Sequence, residues 1–299
     1  MAYYIGLDLG TSSVGWAVTD ENYHLMKKHG KDMWGIREFD EAETAEARRT
    51  FRVSRRRRQR EVARIGLLKD YFHDELAKAI RPGISTWEID HLGEEMIRSF
   101  GCTPNFLHYN GYPASICVSV NDEVVHGIPS KKRILREGDI VSLDAGLIYK
   151  GYHSDAARTH AVGEISPEAQ KLIDVTRQSF FEGIKMAKAG NHLYDISAAI
   201  GNYAESFGYG VVRDLVGHGI GTSLHEDPQI PNFAQKRRGI RLVPGMTLAI
   251  EPMITMGRPE VCWLDDDWTV VTEDESLAAH YENTILITEG EPEILTFTK

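Results

Sequence analysis

The pattern of apolar and polar residues predicts a chain that mixes helices and strands. Apolar residues recur at spacings of three and four, which places them on one face of a helix over residues 65–80: Ile65, Leu68, Phe72, Leu76 and Ile80. The pair Pro82-Gly83 predicts the end of that helix. Near the N-terminus, alternating apolar residues in "YYIGLDLGTSSVGWAVTD" around a Gly-Thr-Ser-Ser turn predict a β-hairpin.

An internal repeat with an offset of 107 residues organises the remainder of the chain. The segment 82–101 (PGISTWEIDHLGEEMIRSFG) matches 189–208 (AGNHLYDISAAIGNYAESFG), and each copy predicts a helix that ends at a glycine. A further helix is predicted before the second copy, with Ser166 as N-cap, Pro167 at its first position and a periodic pattern up to Gly190. Two similar halves predict a pseudo-symmetric α+β domain with its site at their interface.

The charge distribution predicts a boundary near residue 64. The net charge is -10, yet residues 46–64 contain nine Arg and two Glu, a local charge of +7, so the remainder carries -17. We therefore expect an N-terminal segment over 1–64, consisting of the hairpin and an exposed Arg-rich helix over 41–64, and a catalytic domain over 65–299.

Composition indicates the cellular compartment. The three cysteines, Cys102, Cys117 and Cys262, have no pair spacing, which argues against a disulfide framework. No apolar run reaches the roughly 18 residues of a membrane span, and the start "MAYYIGLDLG" does not have the features of a signal peptide. We expect a cytoplasmic protein.

Candidate metal ligands stand out because acids occur inside apolar, strand-like segments, where burial is costly unless a cation compensates. The contexts are "VSLDAG", "GYHSDAARTH", "VGHGIGTSLHEDP", "LAIEPM" and "HYENTILI", and the ligands are Asp144, Asp155, His218, Glu251 and Glu282. Four carboxylates and one imidazole suit two divalent ions better than a thiolate zinc site. Two such ions are equipment for hydrolysis.

Local spacing supports this interpretation. Asp144 and Asp155 are separated by a turn at Lys150-Gly151, which predicts two adjacent antiparallel strands with their carboxylates side by side. His218 lies between glycines, which we interpret as space for a metal and a substrate to approach the ring.

These residues and their contexts, together with "NGYPASICVSVNDEVVHGIP", resemble the methionine aminopeptidases of the pita-bread metallopeptidase superfamily over about residues 78–299. The 33 residues from His218 to Glu251 are too few for the inserted subdomain of the type II enzymes, so the chain looks like type I.

The resemblance implies a role for each residue. Asp144 would hold one ion, Asp155 and Glu282 would bridge two, and His218 and Glu251 would complete the second site. The ions would be Mn, Fe, Co or Zn. Glu251 would accept a proton from the attacking water. His126 would contact the substrate near its N-terminus, and His225 would hydrogen-bond the scissile carbonyl. The pocket for the methionine side chain would be formed by Tyr109, Tyr112, Cys117, Leu224 and Trp268, with Phe106 where some relatives have cysteine.

The N-terminal part resembles a different family. The segment "YYIGLDLGTSSVGWAVTDENYHLMK" and the Arg-rich run that follows resemble the opening RuvC-like motif and the bridge helix of type II CRISPR RNA-guided endonucleases, over residues 3–77. In that family Asp8 would help to hold magnesium, and guide-RNA phosphates would be contacted by Arg48, Arg52, Arg55, Arg56 and Arg60. The other nuclease motifs are absent from the sequence, so nuclease activity is not expected, and a gene fusion is the plainest explanation.

Two functions from different classes follow. The first is removal of N-terminal methionine from nascent proteins with a small second residue, by a monomer working near the ribosome. The alternative is a catalytically impaired fusion whose segment 48–64 binds RNA weakly and without sequence specificity. A proline-directed peptidase of the same superfamily is the other enzymatic candidate.

Overall fold

The computed structural model describes residues 2–9, 13–38 and 75–296. The chain divides into two compact units, Met1–Arg58 and Gln59–Lys299. The predicted Arg-rich helix over 41–64, and with it Arg48, Arg52, Arg55, Arg56 and Arg60, lies outside the described residues. The boundary after residue 64 stays a prediction.

The described part of the first unit contains a three-stranded antiparallel sheet. Strand β1 (Tyr4–Leu9) pairs with β2 (Ser13–Thr19), and the residues between them, 10–12, lie outside the described ranges. The alternating pattern did not predict the third strand of this sheet. Two short strands, β3 (Lys27–Lys28) and β4 (Lys31–Asp32), pair with each other in a separate sheet. The third strand is β5 (Trp34–Glu38), which pairs with β2 on the side opposite β1. Every residue of β1 is exposed, Asp8 included.

The second unit contains the two halves predicted by the repeat. Its helices are α1, described over 75–79, α2 (Thr86–Ser99), α3 (Pro167–Ile184) and α4 (Leu193–Glu205). Helices α2 and α4 are the two copies, and they begin in the same way. The backbone N–H of Ser85 donates to the Glu88 carboxylate, and that of His192 donates to Asp195, both at 2.9 Å. These bonds satisfy N–H groups that the first helical turn leaves without partners.

The 107-residue offset also holds for contacts far apart in the sequence. The N–H of Gly83 donates to the Leu135 carbonyl at 2.8 Å, and the N–H of Gly190 donates to the Leu242 carbonyl at 2.9 Å. Both glycines have a left-handed backbone, with φ of 92° and 93°, which a residue with a Cβ rarely adopts. The predicted pseudo-symmetry is therefore confirmed in backbone geometry.

Helix α3 begins as predicted but ends earlier. The Ser166 hydroxyl accepts the N–H of Ala169 at 3.1 Å, and Pro167 is the first helical residue. The helix ends at Ile184 instead of continuing to Gly190. The N–H of Gly190 donates to the Leu242 carbonyl and not to a carbonyl of the helix, so the helix ends before this residue.

The first half of the second unit contributes β6 (Thr103–Pro104), β7 (Cys117–Val120), β8 (Glu123–Val125), β9 (Ile140–Tyr149) and β10 (Tyr152–Ala161), with a 3₁₀ turn at Tyr109–Gly111. The second half contributes β11 (Gly210–Val211), β12 (Gly217–Gly219), β13 (Glu226–Ile230), β14 (Thr247–Ile250), β15 (Met253–Thr255), β16 (Val261–Trp263), β17 (Val270–Thr272), β18 (Ala278–His280), β19 (Asn283–Leu286) and β20 (Glu293–Ile294). The described strands of this unit form four sheets. With hydrogen-bonded neighbours next to each other, their orders are β10-β9-β6 with β7 beside β9, β11-β15-β18, β13-β12-β14-β19-β20, and β16-β17-β8.

The two halves join along β10 and the segment that connects β18 to β19. The backbone N–H of Glu282 donates to the Ala157 carbonyl at 3.0 Å. On one side of this pair, the Thr284 hydroxyl accepts the N–H of Asp155 at 2.9 Å and donates to its carbonyl at 3.0 Å. On the other side, the Thr159 hydroxyl makes the same two bonds with His280 at 2.9 Å. This seam fixes the backbone of one predicted metal ligand from each half.

The described end of α1 packs into the core of the first half. Leu76 is 1% exposed and lies in a buried cluster with Ile84, Ile89 and Val141. This burial agrees with the apolar face predicted for a helix over 65–80, of which Ile65, Leu68 and Phe72 lie outside the described residues.

Replacing Leu76 with Ala should therefore lower the free energy of unfolding by about 2–5 kcal/mol, because the change leaves a cavity in a packed core. Denaturant unfolding followed by circular dichroism measures this. The matched control is Leu92→Ala on α2, where the side chain is 38% exposed and the loss should be below about 1 kcal/mol. Equal losses at the two positions would contradict a structural role for α1.

Candidate metal centre

Two of the predicted ligands come from the long hairpin formed by β9 and β10. The strands pair antiparallel over their full length, as predicted, with Asp144 opposite Ala157 and Asp155 opposite Gly146. The two acids are therefore diagonal neighbours on adjacent strands. Residues two apart along a strand point to the same face, so both carboxylates lie on one face of the hairpin, side by side as predicted.

The other three ligands come from neighbouring strands of the five-stranded sheet. His218 lies in β12 opposite Ala249 of β14, and Glu251 directly follows β14. Strand β14 also pairs with β19, and Glu282 directly precedes that strand. Three strands thus bring an imidazole and two carboxylates to one end of the sheet.

The seam between the halves brings these residues together. Ligand atoms of Asp155, His218 and Glu282 all lie within 4.8 Å of one another. Glu251 approaches the same group, with its Oε1 3.8 Å from Nε2 of His218. Asp155 and Glu282 are 4% and 2% exposed, so water stabilises their charges poorly.

The orientation of the His218 ring follows from a local hydrogen bond. Its Nδ1 lies 2.8 Å from the Gly219 carbonyl, which accepts the Nδ1–H. The lone pair of Nε2 therefore points toward the carboxylates, in the tautomer that a metal-ligating histidine requires.

The glycines beside His218 have a different physical reason from the one expected. A Cβ on Gly217 would lie 2.5 Å from the Ala249 carbonyl, and one on Gly219 would collide with the backbone at Asp227. These glycines admit the backbones of the neighbouring strands β14 and β13. The interpretation as space for a metal and a substrate stays a prediction.

A cavity of about 220 Å³ contains the predicted site. All five predicted ligands line it, together with both predicted catalytic histidines and every predicted pocket residue: Asp144, Asp155, His218, Glu251, Glu282, His126, His225, Tyr109, Tyr112, Cys117, Leu224 and Trp268. Phe106 and Asn110 complete the lining. The sequence therefore indicated almost every wall of this cavity.

The aromatic wall of the cavity is organised by ring contacts. Tyr112 and His126 both meet Trp268 edge-on, with centroid distances of 5.1 Å and 6.3 Å. The Tyr109 hydroxyl lies 2.8 Å from Nδ1 of His225. Burial lowers the pKa of His126 and of His225 to about 4, so both rings are neutral at pH 7 and each can donate one hydrogen bond.

The charge balance of the cavity indicates a bound cation. Four carboxylates line it, and its fourteen described lining residues include no Lys or Arg. Burial raises the pKa of Glu251 to about 8, an effect that nearby Asp155 adds to and His218 opposes. Divalent ions supply the missing positive charge, and the oxygen-rich donor set with one imidazole fits them.

Sequence reasoning missed one residue next to this group. His280, two positions before Glu282, is 1% exposed, and its Nε2 lies 3.6 Å from Oε2 of Glu251. The signal was a histidine in the segment "AAHYENTILI", two residues before the glutamate that the sequence indicated as a ligand.

Among the described residues, no helix has the length and apolar composition of a membrane span.

Comparison with known proteins agrees with this arrangement. The chain is 58% identical to the methionine aminopeptidase of Clostridium acetobutylicum, over 74% of this chain and 88% of that protein. It is 51% identical to methionine aminopeptidase 1 of Bacillus subtilis, over 79% and 94% of the two chains.

Solved structures give the same result. The methionine aminopeptidase of Thermotoga maritima superposes with a TM-score of 0.79 at 45% identity, covering 81% of this chain and 97% of that one. The Xaa-Pro dipeptidase of Bacillus anthracis gives 0.65 at 27% identity, covering 82% and 61%. The second unit therefore has the pita-bread fold. Since residues 60–289 match the sequence model of metallopeptidase family M24, the chain belongs to that family.

Proposed function

We propose that this chain is a metal-dependent methionine aminopeptidase, which removes the N-terminal methionine from polypeptides whose second residue is small. One observation carries the proposal: a buried group of four carboxylates and an imidazole forms one end of a small cavity whose other walls are aromatic and apolar. The methionine aminopeptidases at 51% and 58% identity match this chain over nearly their whole length.

The ligand assignments are part of the proposal. Asp155 and Glu282, one from each half, would bridge two divalent ions, with Asp144 on one ion and His218 and Glu251 on the other. The proximity of Asp155, His218 and Glu282 supports this division. When bound, the ions supply a polarised water and a Lewis acid for the scissile carbonyl.

The remaining roles belong to the chain's own side chains. Glu251 accepts the proton of the attacking water and delivers it to the leaving amine, and its position between His218 and His280 supports this role. His126 contacts the new N-terminus. His225 donates to the carbonyl oxygen, and its contact with the Tyr109 hydroxyl supports a fixed orientation.

The methionine side chain of the substrate packs against the aromatic wall of the cavity. Met is long, flexible and polarizable, and sulfur makes favourable contacts with ring edges. Tyr112 and Trp268 provide ring edges, and Leu224 and Cys117 belong to the same hydrophobic cluster. A volume of about 220 Å³ holds one residue, which favours an exopeptidase that takes a single side chain.

Substrate choice tests the proposal against the proline-directed alternative. We expect hydrolysis of Met-Ala-Ser at least about 100-fold faster than that of an Xaa-Pro dipeptide, expressed as kcat/KM, because a site shaped for one side chain discriminates by several kcal/mol. Release of free methionine, followed by chromatography, measures the first reaction. Equal or faster cleavage of the Xaa-Pro bond would reject the assignment.

The N-terminal resemblance and the partners stay predictions. The family match begins at residue 60 and leaves residues 3–59 unmatched. The segment 48–64, for which weak RNA binding is predicted, lies outside the described residues. Action on nascent chains near the ribosome, by a monomer in the cytoplasm, completes the proposal.

A further inference from the structure

His280 lies directly behind Glu251, outside the lining of the cavity. Its Nε2 is 3.6 Å from Oε2 of Glu251, and Nε2 of His218 is 3.8 Å from Oε1 of the same carboxylate. Glu251 thus lies between two imidazoles that face different oxygens. Of these two imidazoles, that of His218 lines the cavity that contains the predicted metal ligands, and that of His280 does not.

The backbone of His280 is tightly held. Its N–H and C=O both bond to the Thr159 hydroxyl at 2.9 Å, and its strand β18 pairs with β15, placing it opposite Met253. By the symmetry of the seam, His280 occupies the position that Asp155 occupies in the other half, where the Thr284 hydroxyl makes the same two bonds. The side chain at each of these equivalent positions points to the same buried group.

The ring itself is less well satisfied. Among the described residues, neither Nδ1 nor Nε2 of His280 has a hydrogen-bond partner, although the residue is 1% exposed. A buried imidazole without a partner is costly, so its position next to the Glu251 carboxylate requires an explanation. The Glu251 carboxylate faces Nε2 at a distance that a small side-chain adjustment would convert into a hydrogen bond.

We propose that His280 is a positioning residue whose Nε2–H donates to Oε2 of Glu251, holding the carboxylate so that Oε1 faces the metal side of the site. The inference rests on the proposed function, because it deepens the role given there to Glu251. A ligand held by such a partner keeps one orientation and does not rotate between the two oxygens. The residue does not touch the substrate, so it acts only through Glu251.

Two substitutions separate the hydrogen bond from simple packing. His280→Leu keeps a side chain of similar size but has no donor, whereas His280→Gln keeps an N–H near the position of Nε2. Relative to wild type, His280→Leu should lower kcat for Met-Ala-Ser and weaken Mn²⁺ binding, each by about 10- to 100-fold, with KM changed less than about threefold. His280→Gln should keep kcat and Mn²⁺ affinity within about fivefold of wild type.

Calorimetric titration of metal-free protein with Mn²⁺ provides a readout that does not depend on turnover. Thermal melting of the metal-free variants verifies that each is folded. If His280→Leu does not fold, His280→Gln is compared with His280→Asn. The Asn side chain is too short to reach Glu251, so this variant should lose kcat and Mn²⁺ affinity as expected for His280→Leu.

Three outcomes would overturn the proposal. The first is that His280→Leu retains both kcat and Mn²⁺ affinity. The second is that folded His280→Gln loses as much kcat and Mn²⁺ affinity as His280→Leu. The third is that His280→Asn matches His280→Gln in both quantities. Failure of the proposed function looks different. Wild-type protein would then not hydrolyse Met-Ala-Ser, while the Mn²⁺ titrations would still report whether position 280 controls binding at Glu251.

Discussion

Replacing Glu251 with Ala should lower kcat for Met-Ala-Ser by about 100- to 10,000-fold, the range attributed to a positioned general acid or base. The loss removes both a proton acceptor and a proposed metal ligand. The side chain is largely buried between His218 and His280, which face its two oxygens. Initial rates at saturating peptide and saturating Mn²⁺ measure the effect.

The ionisation of Glu251 explains why the metal matters to this residue. In the metal-free protein, burial raises its pKa to about 8, so the carboxyl is mostly protonated at pH 7. A nearby divalent ion favours the charged form and lowers the pKa again. Metal binding should therefore release a proton from Glu251, and this release should disappear in the Ala variant, as measured by calorimetry in buffers of different ionisation enthalpy.

Two further variants make the result specific. Glu251→Gln keeps the size of the side chain but removes its basic oxygen, and it should lose nearly as much activity as Ala. Glu289→Gln changes an exposed acid outside the cavity and should leave kcat within about twofold of wild type. Full activity in a folded Glu251→Gln protein would end the assignment of Glu251 as the proton acceptor.

Removal of divalent ions should abolish hydrolysis completely. Four carboxylates line the cavity, and its described lining contains no Lys or Arg that could replace the ions as a source of positive charge. Without the ions, the site has no group that polarises the attacking water or the scissile carbonyl as they would. After dialysis against a chelator, adding Mn²⁺, Fe²⁺, Co²⁺ or Zn²⁺ singly should restore activity with at least one ion. The response of rate to ion concentration shows which ion the site prefers.

The same titration should change stability. An ion that binds only the folded protein stabilises it by about 2.7 kcal/mol at a concentration 100 times its Kd, and the melting temperature rises accordingly. Asp155→Asn should reduce both the activity and this rise, because the residue is proposed to contact both ions. The exposed Asp214→Asn is the matched control. Persistent activity after exhaustive chelation, with no ion detectable by elemental analysis, would contradict a metal mechanism.

Local sequence was sufficient for the elements that depend on neighbours in the chain. The capping residues before α3, the helices α2 and α4 of the repeat, and the strand pair β9 and β10 all follow from spacing within about twenty residues. The candidate ligands could also be chosen from the sequence, because an acid in an apolar strand is costly unless a cation accompanies it.

Other features depend on contacts between distant segments. Asp155 meets Thr284 across 129 residues, and this contact sets how the two halves join at the site. The early end of α3 and the close strand packing that requires Gly217 are likewise long-range effects. A periodic pattern records which face of an element is apolar, but it does not record what that face meets.

By itself, then, the sequence determined the repeat helices α2 and α4, the start of α3, the hairpin of β9 and β10, the 107-residue repeat, and the residue types that can hold divalent ions. Only the tertiary structure decided that the two halves meet at Ala157 and Glu282, that twelve predicted residues line one cavity, and that His280 lies behind Glu251. The physical reason is that local propensity acts between near neighbours, whereas a site is assembled by hydrogen bonds and packing between strands far apart in the chain.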